Sequence, residues 1–345
     1  MAIKAAPRVR SDAVPLKTYR SVGRPVAIAG IGAYAPERVV TNQDLERIVS
    51  TSDQWITERT GIKRRHIAEA GTTTFELATQ AARGALAAAE VRAEDLDLIL
   101  VATSSPDGPF PSVACRVQEQ LGVPGAASMD LLAACTGFVY GLSVAEAYVA
   151  SGRADTVLVV GAEVLSRYID WGDRSTCVIF ADGAGAAVVK PATRGAGFRA
   201  WCLGSDGRGY AQVLCGDPAR GGFGAGLSDP KISMVGPDVF KFAVDIFVRQ
   251  AYAVAEAAGI AIDDIDLFVP HQANRRIIEA AARRIGLPME RVMVNIEEYG
   301  NASTATIPLA LHDAQAGGRV RAGDTVLMAG FGSGLTWGAC LLEWE

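Results

Sequence analysis

Histidine is scarce in this chain: three in 345 residues, at 66, 271 and 312, far apart from one another. The six cysteines, at 115, 135, 177, 202, 215 and 340, contain no CxxC pair. This spacing argues against a zinc site and against a disulfide framework, so free thiols in a reducing, cytoplasmic setting are expected. No apolar run is long enough to cross a bilayer, and no membrane partner is expected. Positive charge is in deficit as well. The net charge of −5 argues against a nucleic-acid binder. Acid is what the first 24 residues lack, since Asp12 alone faces Lys4, Arg8, Arg10, Lys17, Arg20 and Arg24, without an apolar segment. That pattern is not a secretory signal, and residues 1–24 are read as a flexible N-terminal extension.

Half of the residues are hydrophobic, enough for a large core, and the length suggests two domain-sized units. The most informative stretch is Asp130 to Gly152, beginning DLLAACTGFVYGL. From Cys135 to Ala150 the only charged residue is Glu146. A helix here is apolar on nearly every face and must be buried. The run Ala126 to Leu132 before it reads as a short buried strand. Cys135 then sits where a strand hands over to a helix start, facing unpaired N–H groups and the positive end of the helix dipole. Both lower a thiol's pKa and predict a nucleophilic thiolate.

Order begins with a strand over Pro25 to Ile31. Gly30, Gly32 and Ala35 imitate a dinucleotide fingerprint, but Pro36 stands where the required helix should start, so a strand and a turn are expected. Thr41 or Asn42 caps a short helix. Trp55 and Arg59, four apart in the polar stretch TSDQWITERTGIKRRHIAE, share a helix face, an arrangement suited to stacking on a nucleotide base. A helix over 73–90, a strand over 96–102, a helix from about Ser112 and the strand DTVLVVG at 155 follow. This alternation predicts an α/β layer with parallel strands.

The second half repeats the first. AAEVRAEDLDLILVA at 88 aligns with AAGIAIDDIDLFVPH at 257, and DTVLVVG at 155 aligns with DTVLMAG at 324, both at an offset of 169. Two matches at one offset predict a duplicated fold, with halves at 25–195 and 196–345. The counterpart of the Cys135 helix starts near Asn301, in GNASTATIPLALHDA. Two buried helices, one per half, need a place between two sheets, which predicts five layers, αβαβα. Cys135, His271 (in VPHQANRR) and Asn301 then come from strand-to-helix connections facing one cavity, where α/β proteins place their chemistry.

From Pro25 onward the sequence resembles β-ketoacyl-acyl carrier protein synthase III, the initiating condensing enzyme of type II fatty acid synthesis in the thiolase superfamily. The motifs are TSDQWITERTGI, DLLAACTGF, FADGAGA, VPHQANRR, YGNAS and GFGSGLTWG. The resemblance implies a thiolase-like fold, an acyl-enzyme at Cys135, and His271 and Asn301 as its partners. It implies coenzyme A contacts at Trp55, Arg59, Arg174 and Asn274, and an oxyanion hole from the backbone N–H groups of Cys135 and Ser333. Met234 and Phe331 are expected at the acyl pocket, with Phe110 reaching across a homodimer. Lys241, Arg276, Arg283 and Arg284 are expected to dock an acidic acyl carrier protein. Coenzyme A enters as the substrate thioester, and no cofactor is implied. Pro237 and Ser333 depart from the family pattern.

Under this resemblance, Cys135 takes an acyl group from a short acyl-coenzyme A, and His271 and Asn301 stabilise the enolate left when malonyl-acyl carrier protein loses carbon dioxide. Thiolases carry a second Cys where this chain has Gly330, and elongating synthases pair two His with the Cys where this chain has Asn301. Both differences favour decarboxylative priming. The alternatives are a relative that primes a polyketide, a silent paralogue that only binds, and a Cys–His hydrolase.

Overall fold

The structure, a computed structural model, describes residues 14–216 and 230–345. The first half runs β1 (Thr18–Arg20), β2 (Val26–Tyr34), β3 (Val39–Thr41), α1 (Asn42–Leu45), α2 (Asp53–Thr60), β4 (Arg64–His66), α3 (Thr74–Ala88), β5 (Leu98–Ala102), α4 (Val113–Leu121), β6 (Ala127–Leu131), α5 (Gly137–Ala150), β7 (Val157–Val164) and β8 (Asp182–Pro191). The second half runs β9 (Gly197–Ser205), β10 (Val213–Cys215), β11 (Ile232–Met234), α6 (Gly236–Ala258), β12 (Leu267–Pro270), α7 (Arg275–Ile285), α8 (Ile296–Tyr299), α9 (Thr306–Ala316), β13 (Thr325–Gly332) and β14 (Thr336–Glu343).

Two five-stranded sheets, ordered β2-β8-β7-β5-β6 and β1-β9-β14-β13-β12, form the frame. α3 and α4 cover the outer face of the first sheet, and α6 with α7 covers the second. α5 and α9 lie between the sheets and touch both, which completes the αβαβα stack. α5 is buried because its sequence leaves no polar face. Phe138 and Leu142 are wholly buried within it, and each such burial stabilises the fold by about 1.5–3 kcal/mol. The strands are not all parallel. β5 pairs in parallel with β6 and β7, and β12 with β13, while β2–β8, β7–β8, β13–β14 and β14–β9 are antiparallel. Antiparallel connections, a short turn at β13–β14 and a long segment between β7 and β8, join the helical crossovers in building the sheets.

Gly30 and Gly32 belong to β2 rather than to a nucleotide loop. A Cβ at Gly32 would come within 2.2 Å of the Ala85 backbone nitrogen, so these positions let α3 lie directly on the strand.

Two expectations need correction. Residues 14–24 are folded onto the body rather than flexible, while 1–13 lie outside the described residues. β1 pairs antiparallel with Ala200–Cys202, satisfying the edge of the second sheet. Arg24 donates to the carbonyls of Val149 (2.5 Å) and Ala154 (2.6 Å) and pairs with Asp155, so a charge that looked like part of a tail satisfies acceptors at the end of α5. The strand at 126–132 is also not buried. β6 is an edge strand, half-buried along its length, and Leu132 just beyond it is 78% exposed.

Candidate active site

One cavity of about 550 Å³ gathers Trp55, Arg59, Cys135, Arg174, Met234, Lys241, His271, Asn274, Arg276, Asn301, Phe331 and Ser333. It draws residues from both halves of the duplication. A second groove of about 660 Å³, around Arg38, Arg167 and Trp171, contains none of the three expected catalytic residues.

Cys135 lies in a 3-10 turn, Ala134–Thr136, that leads into α5. Ala134 is left-handed, with φ 46°. The loop after β13 closes over this turn because Gly332 carries no side chain, and a Cβ there would meet the Cys135 nitrogen at 2.8 Å. The Thr136 and Thr336 hydroxyls, 3.0 Å apart, tie the turn to the Ser333 loop. Ser333 Oγ donates to Val213 O (2.5 Å).

His271 ends β12, where its N–H donates to Ala329 O at 2.8 Å. The ring is 1% exposed, meets Phe331 edge-on at 5.5 Å, and has Nδ1 2.6 Å from Thr306 Oγ1. Asn301 is held by its backbone, donating to Ile179 O and accepting from Ala181 N–H, both at 3.0 Å. Its Oδ1 accepts from Ser303 N–H (2.9 Å), which leaves the amide N–H₂ as a donor on a cavity-lining residue.

At the mouth, two guanidinium groups lie over the Trp55 ring, Arg59 at 4.8 Å and Arg174 at 4.6 Å from its centroid. Asn274 caps α7, accepting from Arg276 N–H, and donates to Arg59 O, so it clasps α7 to α2. Pro237 is in the first turn of α6, where a missing N–H costs nothing. Lys241 and Arg276 stand at the rim, the latter over Phe240.

Three expected residues lie outside this cavity. Phe110 is 84% exposed and lines no part of the cavity. Arg283 and Arg284 are exposed on α7, with Arg284 paired to Asp245.

The sequence matches the family described as 3-oxoacyl-[acyl-carrier-protein] synthase III over residues 129–207, and that family's C-terminal region over residues 255–344. A β-ketoacyl-[acyl-carrier-protein] synthase III from Xylella fastidiosa is 51% identical over 92% of this chain and 98% of that protein. One from Desulfitobacterium hafniense is 47% identical over 93% and 98%. The chain belongs to the β-ketoacyl-[acyl-carrier-protein] synthase III family. It is accordingly a condensing acyltransferase with a thiolase-like fold. The synthase III of Thermus thermophilus superposes with a TM-score of 0.88 at 48% identity, covering 92% of this chain and 99% of that one. A priming β-ketosynthase from the R1128 polyketide pathway superposes with a TM-score of 0.87 at 35% identity, covering 98% and 99%.

In this synthase III site two effects act on Cys135 in opposite directions. Burial pushes the thiol up to about 12, while the helix-start N–H groups favour the thiolate. Burial alone holds His271 down to about 3, so its imidazole is neutral at any ordinary pH. The Thr306 hydroxyl has one proton and two acceptors in reach, His271 Nδ1 and Ser303 O. When it points at Nδ1, the ring proton is on Nε2.

Sequence reasoning missed Thr306, Ser303 and Glu163. Glu163, in β7, is wholly buried and accepts from Ser105 Oγ–H (2.6 Å) and Ser104 N–H (3.0 Å). The repeat held a signal for Ser303, because the offset of 169 maps Ala134 onto it. Among the described residues no group of three or more His, Cys, Asp or Glu could hold a metal ion, and no helix is long and apolar enough to cross a membrane.

Proposed function

We propose that the chain transfers a short acyl group from coenzyme A to Cys135 and condenses it with malonyl-acyl carrier protein, releasing carbon dioxide and 3-oxoacyl-acyl carrier protein and so initiating fatty acid synthesis. The observation that carries this reading is the meeting of Cys135, His271 and Asn301 in one cavity, with Gly330 and Asn301 where a thiolase's second Cys and an elongating synthase's second His would stand.

In the first half-reaction Cys135 Sγ attacks the thioester carbon, and the N–H groups of Cys135 and Ser333 hold the oxyanion. The Trp55, Arg59 and Arg174 stack takes the adenine end of coenzyme A, the base replacing one guanidinium on the ring face. In the second, the malonyl thioester oxygen accepts from Asn301 Nδ2–H and His271 Nε2–H, which requires the tautomer in which the Thr306 hydroxyl turns from Ser303 O to Nδ1. Loss of carbon dioxide supplies the carbanion, so no strong base is needed.

A homodimer in the cytoplasm is part of the proposal. Phe110 and Leu132 are large exposed hydrophobics, and Leu132 adjoins the unpaired edge of β6, a pattern that suits a second copy of the chain. Phe110 then closes the partner's acyl pocket, while Met234 and Phe331 line this one. Lys241 and Arg276 at the rim, with Arg283 and Arg284 farther along α7, face the carrier protein. The decisive test is product formation from acetyl-coenzyme A and malonyl-acyl carrier protein. The likeness to a polyketide-priming synthase favours one second reading, a longer or branched starter for polyketide synthesis, which a strong preference for such starters over acetyl would establish.

A further inference from the structure

Among the described residues Arg65 is the only buried arginine or lysine, with no exposed surface. It is in β4, opposite Val40 of β3. Its guanidinium makes three hydrogen bonds, all to neutral oxygens: Asn42 Oδ1 at 2.8 Å, Val178 O at 3.1 Å and Val40 O at 3.2 Å. Among the described residues no carboxylate pairs with it, and Nε has no partner. An arginine stays charged inside a protein, and burying a charge without a counter-ion is strongly unfavourable. Methionine would fill the strand position without that cost, so packing alone does not account for arginine here.

The acceptors belong to separate segments, and one of them leads to Asn301. Val178 opens a stretch in which Ile179 O accepts from Asn301 N–H and Ala181 N–H donates to Asn301 O, both at 3.0 Å, so that Phe180 bridges Asn301 in parallel. The stem of Arg65 meets the same place from below. A Cβ on Gly300 would come within 3.1 Å of Arg65 Cβ, 3.2 Å of Ala181 Cβ and 3.3 Å of Ile179 O. Gly300 has a φ of 69°, so its missing side chain both permits the turn and seats the residue before Asn301 against Arg65. The neighbours of Arg65 grip the helix that precedes this turn. Lys63 N–H donates to Glu297 O (3.1 Å), Arg64 pairs with Glu298 (2.9 Å), and His66 stacks on Tyr299 at 5.5 Å.

We infer that Arg65 is a positioning residue for Asn301: its guanidinium fixes the segment 178–181 and its stem seats Gly300, which together hold the Asn301 amide where the malonyl thioester oxygen develops charge. This rests on the reading of Asn301 as a donor to the enolate. Arg65 touches no reacting atom and lines no part of the cavity. A displacement of about 1 Å at such a donor costs on the order of 10²-fold in rate. The planar fork reaches acceptors in several directions at once, which the point charge of a lysine ammonium cannot do.

The coenzyme A side of the site does not depend on Arg65 in the same way. Asn42, also without exposed surface, donates from Nδ2 to Asp53 Oδ1 and Ile62 O, both at 2.8 Å, at the start of α2 and just past its end. Arg65 uses only the Oδ1 of Asn42. Without Arg65 those donors still anchor α2, and with it Trp55 and Arg59.

The test is a double-mutant cycle read on two rates: decarboxylation of malonyl-acyl carrier protein without acyl-coenzyme A, and single-turnover labelling of Cys135 by radiolabelled acetyl-coenzyme A. Arg65→Met is expected to lose roughly tenfold or more in decarboxylation and to stay within about threefold of wild type in labelling. Arg65→Lys keeps the charge but not the fork, and should fall with Arg65→Met. In the Asn301→Ala background, Arg65→Met should cost less than about twofold further, because the amide that it positions is gone. A loss of the same size with and without the Asn301 amide overturns the inference, and so does an equal loss in both half-reactions. Wild-type decarboxylation by Arg65→Lys overturns it as well, since the charge would then suffice without the fork. Asn301→Ala decarboxylating at the wild-type rate instead overturns the reading of Asn301, and the inference with it. Should Arg65→Met fail to fold, Gly300→Ala carries the same cycle, because its methyl group wedges between Arg65, Ala181 and Ile179 O while the guanidinium stays intact. A loss in Gly300→Ala that persists undiminished beside Asn301→Ala overturns the inference by that route.

Discussion

Ala134 and Ser303 are 169 residues apart and share one backbone conformation, with φ of 46° and 49°. Each opens the 3-10 turn that leads into a central helix, α5 or α9. The duplicated halves therefore present two equivalent strained turns to each other, and the active site is built across them. One turn carries Cys135, the proposed nucleophile, and the other carries Ser303, whose N–H holds Asn301 Oδ1. The strain has a measurable cost. A non-glycine residue in this region costs about 1–3 kcal/mol, so Ala134→Gly is expected to raise the denaturation midpoint by about 1 kcal/mol equivalent with an unchanged denaturant slope. Ala134→Val should lower it, because the Ala134 side chain already faces Gly332. A glycine variant no more stable than the wild type would show the turn to be unstrained.

The buried pair Glu163 and His271 gives opposite pH dependences of stability. The folded His271 value, about 3, is below its ordinary 6.5. Between these values the unfolded chain binds more protons, so this contribution to stability is lost as pH falls. The folded Glu163 value, about 7, is above its ordinary 4.5. Its contribution is complete below 4.5 and is lost as pH rises through 7. Between 4.5 and 6.5 the two slopes, about 1.4 kcal/mol per pH unit each, cancel. Glu163→Gln removes one of them, and its stability relative to wild type should rise with pH across 4.5–7. Denaturant titrations at pH 5 and 7 with equal differences from wild type would mean that Glu163 titrates normally.

The two half-reactions should separate by mutation. Radiolabelled acetyl-coenzyme A should label the wild type and spare Cys135→Ala. His271→Ala and Asn301→Ala should still be labelled, yet lose malonyl decarboxylation by roughly 10²–10³-fold, the effect of removing one oxyanion donor. Condensation at the wild-type rate by Asn301→Ala would reduce Asn301 to a brace for Ser303 N–H.

The duplicated fold and the meeting of Cys135, His271 and Asn301 in one cavity were legible in the sequence because their signals are local or periodic. The offset of 169 placed the halves, and short motifs around Cys135, His271 and Asn301 marked the loops. What was not legible depends on neighbours distant in the chain. The helix-start argument for Cys135 counted only the groups of its own turn, whereas burial by the surrounding protein also acts on the thiol and raises it. Glu163 reads as the polar end of an apolar strand until the fold brings Ser104 and Ser105 to it. β1 is three residues long and is a strand only because β9 offers an edge.

The exposed pair Phe110 and Leu132 predicts the oligomeric state. Leu132→Asp puts a charge beside the β6 edge and should shift sedimentation from dimer to monomer. Phe110→Ala should leave the dimer intact and change the starter preference, since its ring belongs to the partner's pocket in this reading. A wild type that sediments as a monomer at micromolar concentration would sink both.

Carrier-protein recognition is the last prediction, and the ion pairs refine where to look. α7 carries Arg275, Arg276, Arg283 and Arg284, but Arg275 pairs with Glu279 and Arg284 with Asp245. Those acids offset part of the helix's positive field. Lys241 and Arg276 flank the cavity mouth, where the carrier's pantetheine arm must enter. Exposed charge pairs contribute only about 0.2–1 kcal/mol each, so one neutralisation will change little. Reversing Lys241 and Arg276 together to Glu should raise the apparent KM for malonyl-acyl carrier protein several-fold and flatten its salt dependence, mainly through association rate. Reversing Arg283 with them should deepen the effect. Reversing Arg284 alone should destabilise the fold slightly, because it leaves two acids facing one another at Asp245. A KM that rises equally for acetyl-coenzyme A and for the carrier protein would assign the rim charges to the coenzyme site and move the docking face elsewhere on the molecule.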